Sequence, residues 1–227
     1  MNMPTLPTDR HRPDPDIGAS MPIPMSPPAG SQYLLPESLV GDLRTDHAGE
    51  SGAVMMYRGV LAATGDAEVR HFAHAHLATE AGHLARIERQ LAARHRSRLL
   101  PLWRVAGWLT GAVPAWFGPR AVYATIEAVE TFVDQHYAEQ IVSIDRHDPD
   151  RKAPTLQALR ALLDACRCDE IAHRNEATVL FASGGRPPSL VLRAWVWSVG
   201  AGSPALQLNL FNCIDLHPIS PRSGEKW

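Results

Sequence analysis

Two pairs of side chains in this sequence have the residue types and the spacing of metal ligands. Glu80 and His83 are three residues apart, and so are Glu170 and His173. Residues three apart on an α-helix share a face, so each pair can present a carboxylate and an imidazole to one ion. Oxygen and nitrogen ligands of this kind suit iron or manganese, whereas thiolates would indicate zinc or an iron–sulfur cluster.

Two further glutamates, Glu50 and Glu130, interrupt the apolar faces of two other predicted helices. An ionised carboxylate inside a helix bundle is costly unless a nearby charge compensates it. No lysine or arginine falls on these faces near the glutamates, but two divalent cations would balance four carboxylates. A glutamate from each of two helices, plus a Glu-x-x-His from each of the other two, matches the ligand pattern of di-iron and di-manganese carboxylate proteins.

A third Glu-x-x-His, at Glu68 and His71, serves as an internal control. It lies one residue away from the apolar face of its helix, so its side chains are predicted to face solvent.

Apolar residues that repeat with a helical period of 3.6 define the elements that carry these side chains. The four predicted stripes are Val40, Leu43, His47, Glu50, Val54, Tyr57, Leu61; Val69, Phe72, His76, Glu80, His83, Ile87, Leu91; Val122, Ile126, Val129, Glu130, Val133, Tyr137, Ile141; and Leu159, Leu163, Cys166, Glu170, His173, Ala177, Leu180. Four helices of about 20 residues predict an all-α, ferritin-like four-helix bundle. Turns near residues 65 and 148 make two antiparallel hairpins, and the apolar segment 99–117 crosses between them.

The whole chain divides into three predicted parts: a proline-rich, disordered arm at residues 1–33, the bundle domain at 34–200, and a tail at 201–227 without helical period.

The formal net charge of −2 gives no indication of nucleic-acid binding. Three cysteines, two of them too close in a helix to pair, favour a reducing compartment. The first residues lack the apolar core of a signal peptide.

Segments 99–117 and 190–211 approach membrane-spanning length, but arginine, glycine and proline interrupt them. Five of the six tryptophans fall within them. This composition is typical of a helix at a membrane interface, and a buried core helix is the alternative.

Several polar residues near the glutamates are further candidates. Tyr57 and Tyr137, each two turns after a candidate ligand, either line the site or pack in the core. Asp46 and Asp169 are each placed to accept a hydrogen bond from a ligating histidine. His47 and His76 are interpreted as hydrogen-bonded core residues, and Glu127 competes with Glu130 for the ligand position.

At these positions the sequence resembles the demethoxyubiquinone hydroxylases of ubiquinone biosynthesis, over about residues 40 to 200. The motifs that carry the resemblance are Leu43-Arg44-Thr45-Asp46-His47-Ala48-Gly49-Glu50 with Gly52-Ala53 and Tyr57, the Glu80 and His83 pair, Pro101-Leu102-Trp103, Ala128-Val129-Glu130, His136-Tyr137 with Gln140-Ile141, and Asp169-Glu170 with His173. After Ser203 the sequence departs from the family pattern.

The resemblance implies a non-haem di-iron monooxygenase that uses O₂ to hydroxylate the ring of a demethoxyubiquinol. It implies two iron ions, with NADH or the quinol as reductant, and His136 as a further residue lining the site. The family's ligands fall on Glu50, Glu80, His83, Glu130, Glu170 and His173, so Glu130 is favoured over Glu127. It also implies a peripheral protein on the cytoplasmic face of the inner cell membrane, a lipid-binding accessory protein and a homo-oligomer.

Two alternatives stay open from the sequence alone. One keeps the bundle and changes the chemistry to a ferroxidase, an iron store or a di-manganese catalase. The other is a non-catalytic, membrane-associated helical binding protein whose glutamates form structural ion pairs.

Overall fold

The computed structural model describes residues 35–185 and 187–200, which are helical and contain no strand. The predicted arm at 1–33 and the predicted tail at 201–227 lie outside the described residues. The long helices are α1 (Glu37–Ala63), α2 (Ala67–Gln90), α3 (Leu100–Trp116), α4 (Pro119–His147) and α5 (Pro154–Ala182). A 3₁₀ turn at Ala93–His95 precedes α3, and residues 190–200 are helical as well. The predicted all-α, ferritin-like class is confirmed.

Helices α1 and α2 form one antiparallel hairpin, and α4 and α5 form the other. Asp66 ends the first turn by accepting a hydrogen bond from the backbone N–H of Val69 (3.0 Å), which caps α2. Asp148 organises the second turn, because its carboxylate accepts from the backbone N–H groups of Lys152 (2.8 Å) and Ala153 (3.0 Å). Both breakers predicted from the sequence therefore act as turns.

The four bundle helices are longer than the predicted 20 or so residues, at 27, 24, 29 and 29 residues. The apolar stripes mark only part of each helix, and burial continues beyond them at Leu39, Ile144 and Leu156. Val69, Phe72 and Ile87 on the α2 stripe are almost fully buried. Glu68 and His71 are exposed, as their position off the stripe predicts.

Two apolar clusters fill the two ends of the bundle and leave a polar layer between them. One end joins the start of α1, the end of α2, the end of α4 and the start of α5; its members are Leu39, Leu43, Ile87, Leu91, Tyr137, Ile141, Ile144, Leu156, Leu159, Leu162, Leu163 and Cys166. The opposite end contains Met56, Tyr57, Val60, Val69, Phe72, Ala73, Ala115, Val122, Tyr123, Ile126 and Ala177. Burial of these faces from water provides the main stabilisation of the bundle.

The crossover between the hairpins is a helix, α3, and it packs along α1. The contact is close enough that a Cβ atom added to Gly111 would lie 1.9 Å from the carbonyl oxygen of Met56. A Cβ on Gly107 would lie 2.2 Å from the carbonyl oxygen of Gly52. The glycines and prolines of this segment predicted breaks in it, but α3 continues through Pro114 to Trp116. Within the described residues, no helix is both long and apolar enough to cross a membrane.

Candidate metal centre

The polar layer of the bundle brings together four glutamates, one from each of α1, α2, α4 and α5. Glu50 is 4% exposed, and Glu80, Glu130 and Glu170 are each 1% exposed. Each lies midway along its helix, on the stripe that faces the other three. Among the described residues, none of the four pairs with a lysine or an arginine; the basic groups near them are the imidazoles of His83 and His173.

The cluster divides into two groups that can each hold a metal ion. One consists of Glu50, Glu80, His83 and Glu170, and the other of Glu80, Glu130, Glu170 and His173. In each group the potential ligand atoms lie within 4.8 Å of one another. Glu80 and Glu170 belong to both groups, so these two carboxylates lie between the two positions.

The histidines face the carboxylates through Nδ1. His83 Nδ1 lies 2.9 Å from Glu170 Oε1, and His173 Nδ1 lies 3.0 Å from Glu80 Oε1. Despite this proximity, both nitrogens are buried without a hydrogen-bond partner, and so are Glu50 Oε2, Glu80 Oε1 and both carboxylate oxygens of Glu170. Such groups are rare in protein interiors because an unpaired buried polar atom is costly. Converging oxygen and nitrogen atoms that lack hydrogen bonds fit a cation site.

The electrostatics of the cluster reflect its excess of carboxylates. Burial, followed by the charges of Glu80 and Glu170, raises the pKa of Glu50 well above its ordinary value. Burial and the charges of Glu170 and Glu80 likewise raise the pKa of Glu130. For Glu80, burial acts in the same direction, but the contacts with His173 and His83 outweigh it and lower its pKa to about 2. The centre therefore favours cations that hold all four carboxylates ionised.

Two tyrosines connect the hairpins in a crossed pattern. Tyr57 on α1 donates a hydrogen bond to Glu130 on α4 (3.0 Å), and Tyr137 on α4 donates to Glu50 on α1. Burial, together with the adjacent carboxylate, raises the pKa of both phenols well above the ordinary value, so both remain protonated donors. Of the two interpretations left open by the sequence, the structure therefore places both tyrosines against the site.

The two aspartates proposed as partners of a ligating histidine behave differently. His83 Nε2 donates to Asp169 Oδ2 (3.0 Å), which turns Nδ1 toward the carboxylates. Asp46 instead accepts from His136 Nε2 (3.1 Å) and Gln140 Nε2 (2.6 Å), and contacts neither His83 nor His173. The reason is its position: one turn before Glu50, Asp46 faces the second half of α4 rather than the Glu-x-x-His helices.

The other polar candidates lie outside the two ligand groups. His47 contacts Glu88 (3.1 Å) and is a hydrogen-bonded core histidine, as predicted. His76 donates to Glu176 (3.0 Å), and its ring contacts that of His173 at a tilt of 33°, with centroids 4.0 Å apart. Glu127, one turn before Glu130, is half-buried and belongs to neither group.

An apolar cavity of about 390 Å³ leads to the carboxylates. It runs between α1 and α4, and α3 and residues 190–200 form its outer walls. Its apolar walls include Met56, Trp103, Ala106, Val129, Phe132, Val133, Trp195 and Val199, and its polar lining includes Asp46, Glu50, Glu80, Glu130, His136, Tyr137 and Glu170.

Two contacts beside this cavity were not predicted from the sequence: the hydrogen bond of Gln140 to Asp46 and the packing of residues 195–199 against α4. Gln140 had a detectable signal, because it lies one turn after His136 on the same face of α4. The sequence carries no local signal for the packing of residues 195–199 against α4. This packing depends on long-range contacts such as the hydrogen bond from Trp195 Nε1 to Thr125 Oγ1 (2.9 Å).

Comparison with known proteins finds one family and several relatives. Residues 38–200 match the family described as ubiquinone biosynthesis protein COQ7. The 3-demethoxyubiquinol 3-hydroxylase of Rhodospirillum rubrum is 39% identical over 148 residues, 63% of this chain and 64% of that protein. The mitochondrial NADPH-dependent 3-demethoxyubiquinone 3-hydroxylase of Mus musculus is 34% identical over 135 residues, 59% of this chain and 60% of that protein.

The corresponding protein of Caenorhabditis elegans is 30% identical over 175 residues, which cover 76% of this chain and 88% of that protein. The chain thus spans a little under two thirds of the Rhodospirillum rubrum and Mus musculus relatives, and most of the nematode one.

Proposed function

Because the chain belongs to the ubiquinone biosynthesis protein COQ7 family of demethoxyubiquinone hydroxylases, we propose that it hydroxylates the ring of a demethoxyubiquinol at a pair of iron ions. The observation that carries the proposal is the pair of adjacent ligand groups, unpaired with any lysine or arginine of the described residues, at the inner end of an apolar cavity. The activity itself is named in the relatives, and its transfer to this chain is our inference.

The six residues selected from the sequence would hold the two ions. Glu50 and His83 would serve one position, Glu130 and His173 the other, and the carboxylates of Glu80 and Glu170 would serve both. Four carboxylates and two imidazoles suit Fe(II), since hard oxygen ligands with a minority of nitrogen favour it over metals that prefer thiolate. A pair of iron ions supplies the redox chemistry that reduces O₂ for ring hydroxylation.

The apolar cavity would bind the quinol ring and exclude water from the reaction. Val129 and Phe132 on α4 and Trp103 and Ala106 on α3 offer apolar surfaces for a flat ring and the start of an isoprenoid tail. At the polar end, burial alone would lower the pKa of His136, but its contact with Asp46 outweighs this and raises that pKa. The imidazole of His136 would orient the ring hydroxyl groups.

The reaction balances with one external reductant. One oxygen atom of O₂ enters a ring C–H bond as a hydroxyl group, and the other leaves as water with two protons and two electrons from the donor. The mouse and nematode relatives are named NADPH-dependent, so a reduced nicotinamide is the donor to test before the quinol itself.

Tyr57 and Tyr137 would keep their protons on Oη and orient the carboxylates of Glu130 and Glu50.

The apolar surface of the molecule supports binding to the membrane that holds such a substrate. Of the ten exposed large hydrophobic side chains in the described part of the chain, eight lie on residues 102–117 and 190–197. Leu102, Val105 and Leu109 form a continuous stripe on α3. A peripheral position with this stripe at the interface would bring the mouth of the cavity close to the lipid. The cytoplasmic face of the cell membrane, an accessory protein and a homo-oligomer stay predictions.

The test is a matched pair of variants on one turn of α4. Purified Glu130→Ala and Glu127→Ala proteins are loaded with Fe(II), and bound iron and conversion of a demethoxyubiquinol are measured. We expect Glu130→Ala to lose most of its iron at one position and at least about a hundredfold in turnover, because a carboxylate ligand is removed. We expect Glu127→Ala to retain both.

Equal effects of the two variants would contradict the ligand assignment. If the wild-type protein oxidises Fe(II) but never converts the quinol, the ferroxidase alternative is correct. If it binds substoichiometric iron, the non-catalytic alternative is correct.

A further inference from the structure

The segment that carries the exposed apolar stripe has an unusual charge distribution. Residues 91–126 contain five arginines and no aspartate or glutamate, although the whole chain has a formal net charge of −2. Three of these side chains are exposed: Arg94, Arg98 and Arg104. We call these three residues the basic rim. They lie between the 3₁₀ turn and the second turn of α3.

The basic rim makes no ion pair with any described residue, a property that it shares with Arg70 and Arg146 and that distinguishes it from six other basic residues. Elsewhere, each of Arg86, Arg151, Lys152, Arg160, Arg167 and Arg174 lies within 4.0 Å of an aspartate. No carboxylate of the described residues pairs with Arg94, Arg98 or Arg104. Apart from the hydrogen bond that Arg94 Nε donates to His95 Nε2 (3.1 Å), the guanidinium groups of the rim are therefore available to an external anion.

The loop that carries the rim is fixed to the bundle. Arg44 on α1 donates a hydrogen bond to the backbone carbonyl of His95 (2.8 Å), and Arg96 pairs with Glu88 on α2 (3.1 Å). Glu88 in turn contacts the buried His47 (3.1 Å). These contacts fix the segment of Arg94 and Arg98 directly before the start of α3, the helix that carries Arg104 and the apolar stripe.

The apolar stripe next to the rim determines the kind of partner. Leu102, Val105 and Leu109 are 57%, 58% and 43% exposed and follow one face of α3. Apolar side chains that enter the acyl boundary of a bilayer bring neighbouring guanidinium groups to the depth of the lipid phosphates. Arginine binds phosphate oxygens with two parallel hydrogen bonds, which suits this position.

We infer that the basic rim and the α3 stripe together form a docking surface for bilayers that contain anionic lipids. The inference rests on the proposed function, which requires contact with a membrane, and adds the class of lipid that this membrane must display. Anionic lipids attract basic residues near the surface, and the attraction decays within a Debye length. The apolar stripe inserts into the bilayer, and the basic rim selects bilayers that contain anionic lipid.

The experiment is flotation of the full-length protein with two kinds of vesicle. One kind is phosphatidylcholine alone, and in the other a third of the lipid is phosphatidylglycerol. We expect the wild-type protein to partition at least about tenfold more strongly to the anionic vesicles. Raising the salt to about 0.5 M should remove most of that difference, because the Debye length shortens.

Three variants separate the contributions. Arg94→Gln/Arg98→Gln/Arg104→Gln should lose about tenfold or more in partitioning to anionic vesicles and nothing to neutral ones. Leu102→Ser/Val105→Ser/Leu109→Ser should lose binding to both. The control is Arg70→Gln/Arg146→Gln/Lys152→Gln, which removes the same charge from exposed positions on α2, α4 and the second turn, and should behave as wild type.

Two outcomes overturn the inference, and they are distinguishable. If the wild-type protein binds both vesicle types equally, or if the control loses as much as the rim variant, membrane docking stands but the rim does not select anionic lipid. If the protein binds neither vesicle, the membrane contact itself is wrong and the proposed function loses its route to the substrate.

Discussion

Asp169 determines which nitrogen of His83 faces the carboxylate cluster. Its carboxylate accepts from Nε2 at 3.0 Å, and Arg86 lies 3.7 Å from the same oxygen. With Nε2 held in this way, Nδ1 faces Glu80 and Glu170. A carboxylate behind a ligating imidazole fixes the tautomer and the ring orientation, and it raises the basicity of the ligand.

We predict that Asp169→Ala weakens iron binding by about 10- to 100-fold, because the imidazole of His83 loses its orientation. Asp164→Ala is the matched control: Asp164 lies on the same helix, is exposed, and makes no ion pair with another described residue. Binding is measured by competition with a chromophoric chelator, and circular dichroism checks that both variants are folded. An affinity of Asp169→Ala equal to that of the control would contradict the assignment.

The sequence predicted the faces of the residues around this centre better than their partners. The helical period placed Glu50, Glu80, Glu130 and Glu170 inward, because burial along one helix is a local property. It could not predict which aspartate meets which histidine. The partner of Asp46 depends on how α1 crosses α4, and that geometry is set by packing over the whole bundle.

At the scale of the elements, α3 is positioned by glycines rather than by its tryptophans. Gly107 and Gly111 on α3 and Gly59 on α1 allow backbone-to-backbone contact, since an added Cβ at any of the three would lie within about 2 Å of a carbonyl oxygen. Trp103 and Trp108 on the same helix are partly buried. Tryptophan content alone had suggested that these two side chains face a membrane.

Two glycine substitutions should therefore have opposite effects on stability. Gly111→Ala forces α3 away from α1 and should lower the free energy of unfolding by about 1–3 kcal/mol. At Gly41 an added Cβ meets nothing within 4 Å. Gly41→Ala should thus raise the free energy of unfolding by about 0.5–1 kcal/mol, through the greater helix propensity of alanine. Chemical denaturation of both proteins measures the difference, and a loss of stability in Gly41→Ala would refute it.

At the scale of the whole molecule, the metal-free bundle carries an electrostatic penalty that depends on pH. The folded pKa values of Glu50 and Glu130 are raised above 4.5, so their contribution to stability is lost as pH rises through the folded values. The pKa of His173 is raised to about 9, because its contacts with Glu170 and Glu80 outweigh its burial. Its contribution is present below pH 6.5 and lost toward pH 9. The contributions of Glu50, Glu130 and His173 to the free energy of unfolding therefore all decrease as pH rises.

We predict that chelator-treated protein loses more thermal stability between pH 5 and pH 8 than a Glu50→Gln/Glu130→Gln variant does. The amide substitutions remove the two titrating carboxylates. The melting temperature of the variant should therefore fall less than that of the wild-type protein as pH rises. His47 and His76 have lowered pKa values, so their contributions to stability change with pH in the opposite direction. These contributions are the same in both proteins and cancel in the comparison. Scanning calorimetry at several pH values provides the measurement. Parallel curves for the two proteins would exclude this source of instability.

The crossed hydrogen bonds of Tyr57 and Tyr137 have a consequence for the ancestry of the chain. Each hairpin contributes one glutamate that is held by the tyrosine of the other hairpin, and each tyrosine follows its own glutamate by seven residues. A single hairpin associated with its own copy about a twofold axis would form the same reciprocal pair of bonds. The centre thus has the arrangement that a homodimer of such hairpins would form, and duplication of one short gene would suffice to produce it.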